Sequence, residues 1–113
     1  MLLRSIPFSL HGAFEFVLGA GVAASPLVFD FGPAAILAAV FLGTTMIGLA
    51  VGAGAGGVAI ATHAAYDRAL AVALVVAAGL MLVASEPAAV ACFAAAGLAQ
   101  VALTATTRYS AHA

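Results

Sequence analysis

Charge is the scarcest thing in this sequence. Of its 113 residues only Arg4, Arg68 and Arg108, set against Glu15, Asp30, Asp67 and Glu86, are ionised side chains, for a net charge of −1. A soluble domain carries about a quarter charged residues; here the share is 6%. So small a particle keeps most side chains near its surface, and seven charges cannot dress that surface for water. The shortage excludes a soluble enzyme, a nucleic-acid binder and a disordered tail. Lysine is missing altogether, so no basic patch exists for phosphate or anionic lipid. Cysteine occurs once, at Cys92, within an apolar run; an internal disulfide is impossible, no Cys/His spacing of the zinc kind is present, and the thiol reads as a small buried hydrophobe. Tryptophan is absent.

What fills the chain instead is aliphatic: 66% of the residues are hydrophobic and the mean hydropathy is +1.28. A bilayer core about 30 Å thick needs roughly 20 apolar residues in helix. Four stretches meet that length, at about 9–29, 33–52, 62–84 and 87–106. The first and second are joined by Asp30-Phe31-Gly32-Pro33, the third and fourth by Ser85-Glu86-Pro87. Pro33 and Pro87 suit the first turn of a helix, where no backbone donor is lost. The glycine-rich segment GAGAGG, between Val51 and Thr62, reads as the long loop. The expected fold is therefore all-α: a polytopic membrane protein of four transmembrane helices arranged as two hairpins. A β-barrel is excluded because its strands alternate apolar and polar residues, a period not seen here. The first stretch has Arg4 and small residues at Val22-Ala23-Ala24, as a signal peptide would, but Glu15 interrupts it and it is a full span long; it reads as a retained helix.

Four spans place both ends and the middle loop on one face. The three arginines fall there, and Asp30 and Glu86 fall on the other. The positive-inside rule then puts both termini in the cytoplasm of a cell whose inner (plasma) membrane the chain crosses.

The halves repeat. His11-Gly12-Ala13-Phe14-Glu15 matches His63-Ala64-Ala65-Tyr66-Asp67 at a displacement of 52, and Pro33-Ala34-Ala35-Ile36 with Gly43 matches Pro87-Ala88-Ala89-Val90 with Gly97 at 54. Residues 1–57 and 58–113 are thus two copies of one hairpin. An even number of spans per copy inserts both the same way up, so the expected pseudo-twofold axis runs along the membrane normal. The Ser25-Pro26 pair near the outer end of the first helix, followed by Leu27-Val28-Phe29-Asp30-Phe31-Gly32, resembles the SPW-repeat family of small bacterial membrane proteins. Here Leu27 takes the third motif position, and the second copy has Ala78-Gly79 in the Ser-Pro slot. The resemblance spans nearly the whole chain and implies a four-helix integral membrane protein; it brings no established biochemical activity with it.

Lipid tails are as apolar as leucine, so such helices associate by close fit and polar contacts. Gly43, Gly48 and Gly52, with Gly56 beyond, form a small-residue line that seats another helix, either within the chain or in a second copy. Gly54 and Gly57 offer a helix end that leaves Gly56 in the loop. Pro26 removes a backbone hydrogen bond, and Ser25 beside it can satisfy the freed carbonyl. Thr44, Thr45 and Gln100 read as mid-span groups hydrogen-bonded between helices. Arg108 and Tyr109 read as an interfacial anchor, with His112 in a disordered tail.

One constellation could carry chemistry: His11/Glu15 and His63/Asp67. Residues four apart share a helix face, so each histidine reaches its own acid. The pseudo-twofold could bring both pairs together, to relay protons or to hold a divalent metal. Alternatively, the pairs are hydrogen-bonded helix starts near the headgroups, with Glu15 and Asp67 paired to Arg4 or Arg68. The second alternative leaves the chain without metal or cofactor.

Function follows in two classes. The chain is a non-enzymatic structural or accessory component whose partners are the bilayer, other copies of itself or a larger membrane complex. Otherwise it is a small proton-coupled transporter or channel, oligomeric, using Glu15 and Asp67; its length and acid placement are similar to the small multidrug-resistance exporters, whose aromatic-rich face it lacks. A redox subunit ligating metal or haem through His11 and His63 is a weaker third class. GAGAGG lacks the Lys and Ser/Thr of a phosphate loop, and no nucleophile–base pair or zinc-protease motif supports an enzyme.

Overall fold

A computed structural model describes residues 4–56 and 58–110. Four helices account for most of them: α1 (Phe8–Val28), α2 (Pro33–Ala55), α3 (Ile60–Val83) and α4 (Pro87–Thr106). Each is long and apolar enough to cross a membrane. Pro33 and Pro87 open α2 and α4 at their first turns, where the missing N–H costs nothing.

The boundaries follow the sequence except in the middle. The glycine run does not form a long loop: α2 continues through Gly52 and Gly54 to Ala55, and α3 begins at Ile60, leaving a connection of four residues. Glycine costs about 1 kcal/mol per residue in a helix, but an unpaired peptide group in an apolar surround costs more. The helix ends where Gly56 takes a left-handed conformation (φ 71°), one of the few backbone states that favours glycine.

Within the bundle α1 packs chiefly on α2 and α3 on α4, with lighter contact across α1–α4 and α2–α3. The α1–α2 crossing is made by Gly19 and Gly43. A Cβ on Gly43 would lie 2.7 Å from the Ala23 Cα, and one on Gly19 would lie 2.9 Å from the Gly43 carbonyl oxygen. Gly48, by contrast, is exposed and has nothing within 4 Å of a Cβ, and Gly52 has only Val58 at 3.7 Å; within the chain, the line makes a close helix contact at Gly43. Gly97 brings α4 against Leu74 and Val75 of α3. Between the hairpins, an apolar groove of about 590 Å³ runs along α1 and α4, and the half-buried Cys92 lines it, so the thiol is not enclosed.

Pro26 lies inside α1, and the hydrogen bond it cannot give to Val22 is replaced: the Ser25 hydroxyl donates to the Val22 carbonyl at 2.6 Å. Thr44 and Thr45 do not join helices; their hydroxyls donate to Val40 and Phe41 carbonyls one turn back at 2.6 and 2.7 Å.

Two contacts tie the hairpins at opposite ends. At the turn end, the Gly32 N–H donates to Glu86 Oε1 at 3.0 Å. At the other end the segments just outside α1 and α4 are extended, and Ile6–Pro7 (β1) pairs in parallel with Thr107–Arg108 (β2). Arg4 adds a hydrogen bond from Nη1 to the Thr107 carbonyl at 3.0 Å. This crossing strap, a contact between segments about a hundred residues apart, has no counterpart in the helical periodicity.

Candidate polar centre

The strap closes over the four side chains singled out by spacing. His11 and Glu15 project from the first two turns of α1, and His63 and Asp67 from the first two turns of α3. All four side chains have no solvent exposure. The buried stripe of α1 is narrow (His11, Glu15, Gly19, Val22, Ser25), so a four-residue spacing keeps both polar groups on the inward face.

Partners are exchanged between the hairpins. His11 Nε2 lies 2.9 Å from Asp67 Oδ2 but 3.7 Å from Glu15 Oε1 on its own helix. His63 Nε2 lies 3.0 Å from Glu15 Oε1 and 3.3 Å from Asp67 Oδ2. The two imidazoles meet nearly edge to face, with ring centroids 5.4 Å apart. Arg4 and Arg68 are not the partners of these acids: Glu15 and Asp67 pair with histidines, and the Arg4 guanidinium goes to the Thr107 carbonyl.

Three further residues complete the shell. Gln100, fully buried on α4, donates from Nε2 to Glu15 Oε2 at 3.3 Å and approaches Asp67 Oδ1 and its carbonyl at 3.5 and 3.4 Å. Thr107 donates its hydroxyl to the Leu103 carbonyl at 2.6 Å, so towards His11 Nδ1, at 2.7 Å, its oxygen is an acceptor. Tyr109 turns its hydroxyl inward and donates to Asp67 Oδ2 at 2.8 Å. Burial and the neighbouring Asp67 carboxylate push the Tyr109 phenol above its ordinary value, so it stays a donor. Phe8 covers the centre, its ring 5.7 Å from His11, 5.0 Å from His63 and 5.9 Å from Tyr109. Gln100 was visible in the sequence as a mid-span polar group; Thr107 and Tyr109 carried no local signal, because the strap alone brings them inward. His112 lies outside the described residues.

These bonds constrain the protons. Thr107 takes the proton on His11 Nδ1, which leaves Nε2 of a neutral His11 as a bare lone pair. That nitrogen sits at hydrogen-bond distance from Asp67 but not in hydrogen-bond direction, and among the described residues it makes no hydrogen bond beyond this close approach. A lone pair 2.9 Å from a carboxylate oxygen is repulsive unless positive charge lies between or upon them. Two carboxylates removed from water together require about two units of such charge, supplied by protons or by a cation.

Comparison of the chain with protein-family models, with curated proteins and with solved structures finds no match in any of the three. The class defined by fold and site is thus stated in physical terms: four helices apolar enough to cross a membrane, enclosing at one end a buried centre of two histidines and two carboxylates.

Proposed function

We propose that the chain is a small, non-enzymatic multi-pass protein of the inner membrane that moves protons through Glu15 and Asp67, working as an oligomer. Its two parallel, SPW-repeat-like hairpins, 1–57 and 58–113, have both termini in the cytoplasm. The observation that carries this reading is the meeting of both carboxylates and both histidines at zero exposure. A charged side chain costs about 2.5–3.5 kcal/mol at the middle of a bilayer on insertion scales and less toward its faces, and a buried ion pair adds little stability over apolar packing. Two such pairs at one point are an expense that fastening alone does not require. Support for the repeat comes from equivalent positions meeting in pairs: His11 with His63 at one end, Gly32 with Glu86 at the other. Buried positions also recur at the displacement of 54, as in Ala35 and Ala89, Ala39 and Phe93, Met46 and Gln100.

The test is proton flux in proteoliposomes under an imposed pH gradient. The wild-type chain should dissipate the gradient faster than protein-free vesicles, and Glu15→Gln with Asp67→Asn should return the rate to that baseline. A wild-type rate at baseline, or unchanged flux in the double variant, contradicts the reading.

A second reading, an accessory component of a larger assembly, is favoured by one observation: the polar centre fastens hairpins that otherwise leave an apolar groove between them. Crosslinking in native membranes separates the two, since an accessory role requires a different protein at that groove, whereas the oligomeric transporter requires only further copies of this chain.

A further inference from the structure

We propose that His11, Glu15, His63 and Asp67 form a binding site for one divalent transition-metal cation of the zinc type. The four residues each offer a ligand atom, and these atoms all lie within 4.8 Å of one another. A tetrahedral ion with bonds of about 2.0–2.2 Å holds its ligands roughly 3.3–3.6 Å apart. The four His–carboxylate separations, 2.9, 3.0, 3.3 and 3.7 Å, bracket that edge, and the His–His and carboxylate–carboxylate separations, within 4.8 Å, are the ones a bound ion would draw in.

The second observation is independent of the clustering. His11 Nε2, fully buried and without a hydrogen-bond partner among the described residues, points between Glu15 and Asp67. Its tautomer is set from behind: Nδ1–H donates to Thr107 Oγ1, which presents Nε2 as a lone pair. Metal-ligating histidines are oriented in this way, and ligating carboxylates are likewise hydrogen-bonded from outside, here by Gln100 and Tyr109.

Charge and donor type select the ion. Two neutral imidazoles and two carboxylates carry two negative charges, which one divalent cation cancels in a site closed to water. Mixed nitrogen and oxygen donors suit Zn(II), Co(II), Mn(II) or Fe(II); the absence of sulfur disfavours Cu(I), and imidazole disfavours Mg(II) and Ca(II). The inference uses the same side chains as the transport reading but does not rest on it. Binding is read at equilibrium in detergent and flux in vesicles, so either can fail alone.

The experiment is titration of the full chain, purified in detergent and freed of metal by chelator, with Co(II), followed by displacement with Zn(II). The expected result is a visible spectrum of four-coordinate Co(II) saturating at one ion per chain and bleached by Zn(II). Glu15→Gln and Asp67→Asn should abolish it, and Thr107→Val, which leaves every ligand in place, should weaken Co(II) binding about 10- to 100-fold. Glu86→Gln, at the opposite end, should leave it unchanged. A folded, monodisperse wild-type chain that develops no such spectrum overturns the proposal, as does a spectrum that survives in the folded Asp67→Asn or Thr107→Val chain at wild-type affinity.

Discussion

His11 stands closer to Asp67, on another helix and in the other hairpin, than to Glu15 one turn along its own: 2.9 Å against 3.7 Å. The centre therefore exists only when both hairpins are assembled, and its integrity reports on their assembly.

Gln100 tests how much that assembly depends on satisfied carboxylates. It donates to Glu15 and approaches Asp67 from α4, and hydrogen bonds to charged groups contribute about 1.5–3 kcal/mol. Gln100→Leu should lower stability by about that amount in detergent unfolding, while Thr45→Val, which loses only a bond to its own helix, should change it by less than about 1 kcal/mol.

Gly43 and Gly48 differ in what surrounds them, and their alanine variants should differ too. Gly43→Ala drives a methyl into the Ala23 backbone and should cost about 1–3 kcal/mol or more. Gly48→Ala meets nothing and should be neutral or stabilising by up to about 1 kcal/mol through helix propensity.

Much of the architecture was legible beforehand. Helix positions followed from long apolar runs and from Pro33 and Pro87, and the four-residue spacing of His11/Glu15 and His63/Asp67 placed each pair on one helix face. What escaped was everything set by distant contact. The exchange of partners between hairpins, and the inward turn of Thr107 and Tyr109, depend on the β1–β2 strap, which no local periodicity encodes. The glycine run misled because loop propensity in water differs from backbone satisfaction in an apolar medium.

Tyr109 gives the account a pH dependence. Its folded-state phenol is held above the unfolded value of about 10, so its contribution is fully present below that pH and is lost as pH rises through the folded value. Stability measured from pH 9 to 12 should fall in the wild type, and Tyr109→Phe should flatten that decline.

Metal should act on stability as a ligand of the folded state. Zn(II) at a free concentration 100 times its dissociation constant should stabilise the chain by about 2.7 kcal/mol over the chelator-treated form, a rise of several degrees in Tm. Asp67→Asn should show no such difference between zinc and chelator.

The most direct test is a double-mutant cycle in detergent unfolding, combining His11→Ala with Asp67→Ala. Residues in one buried network couple by about 0.5–3 kcal/mol, whereas distant residues add within about 0.3–0.5 kcal/mol. A coupling above about 1 kcal/mol for His11 with Asp67, against additivity for His11 with Asp30, is the predicted result; additivity for His11 with Asp67 would contradict a shared centre built across the two hairpins.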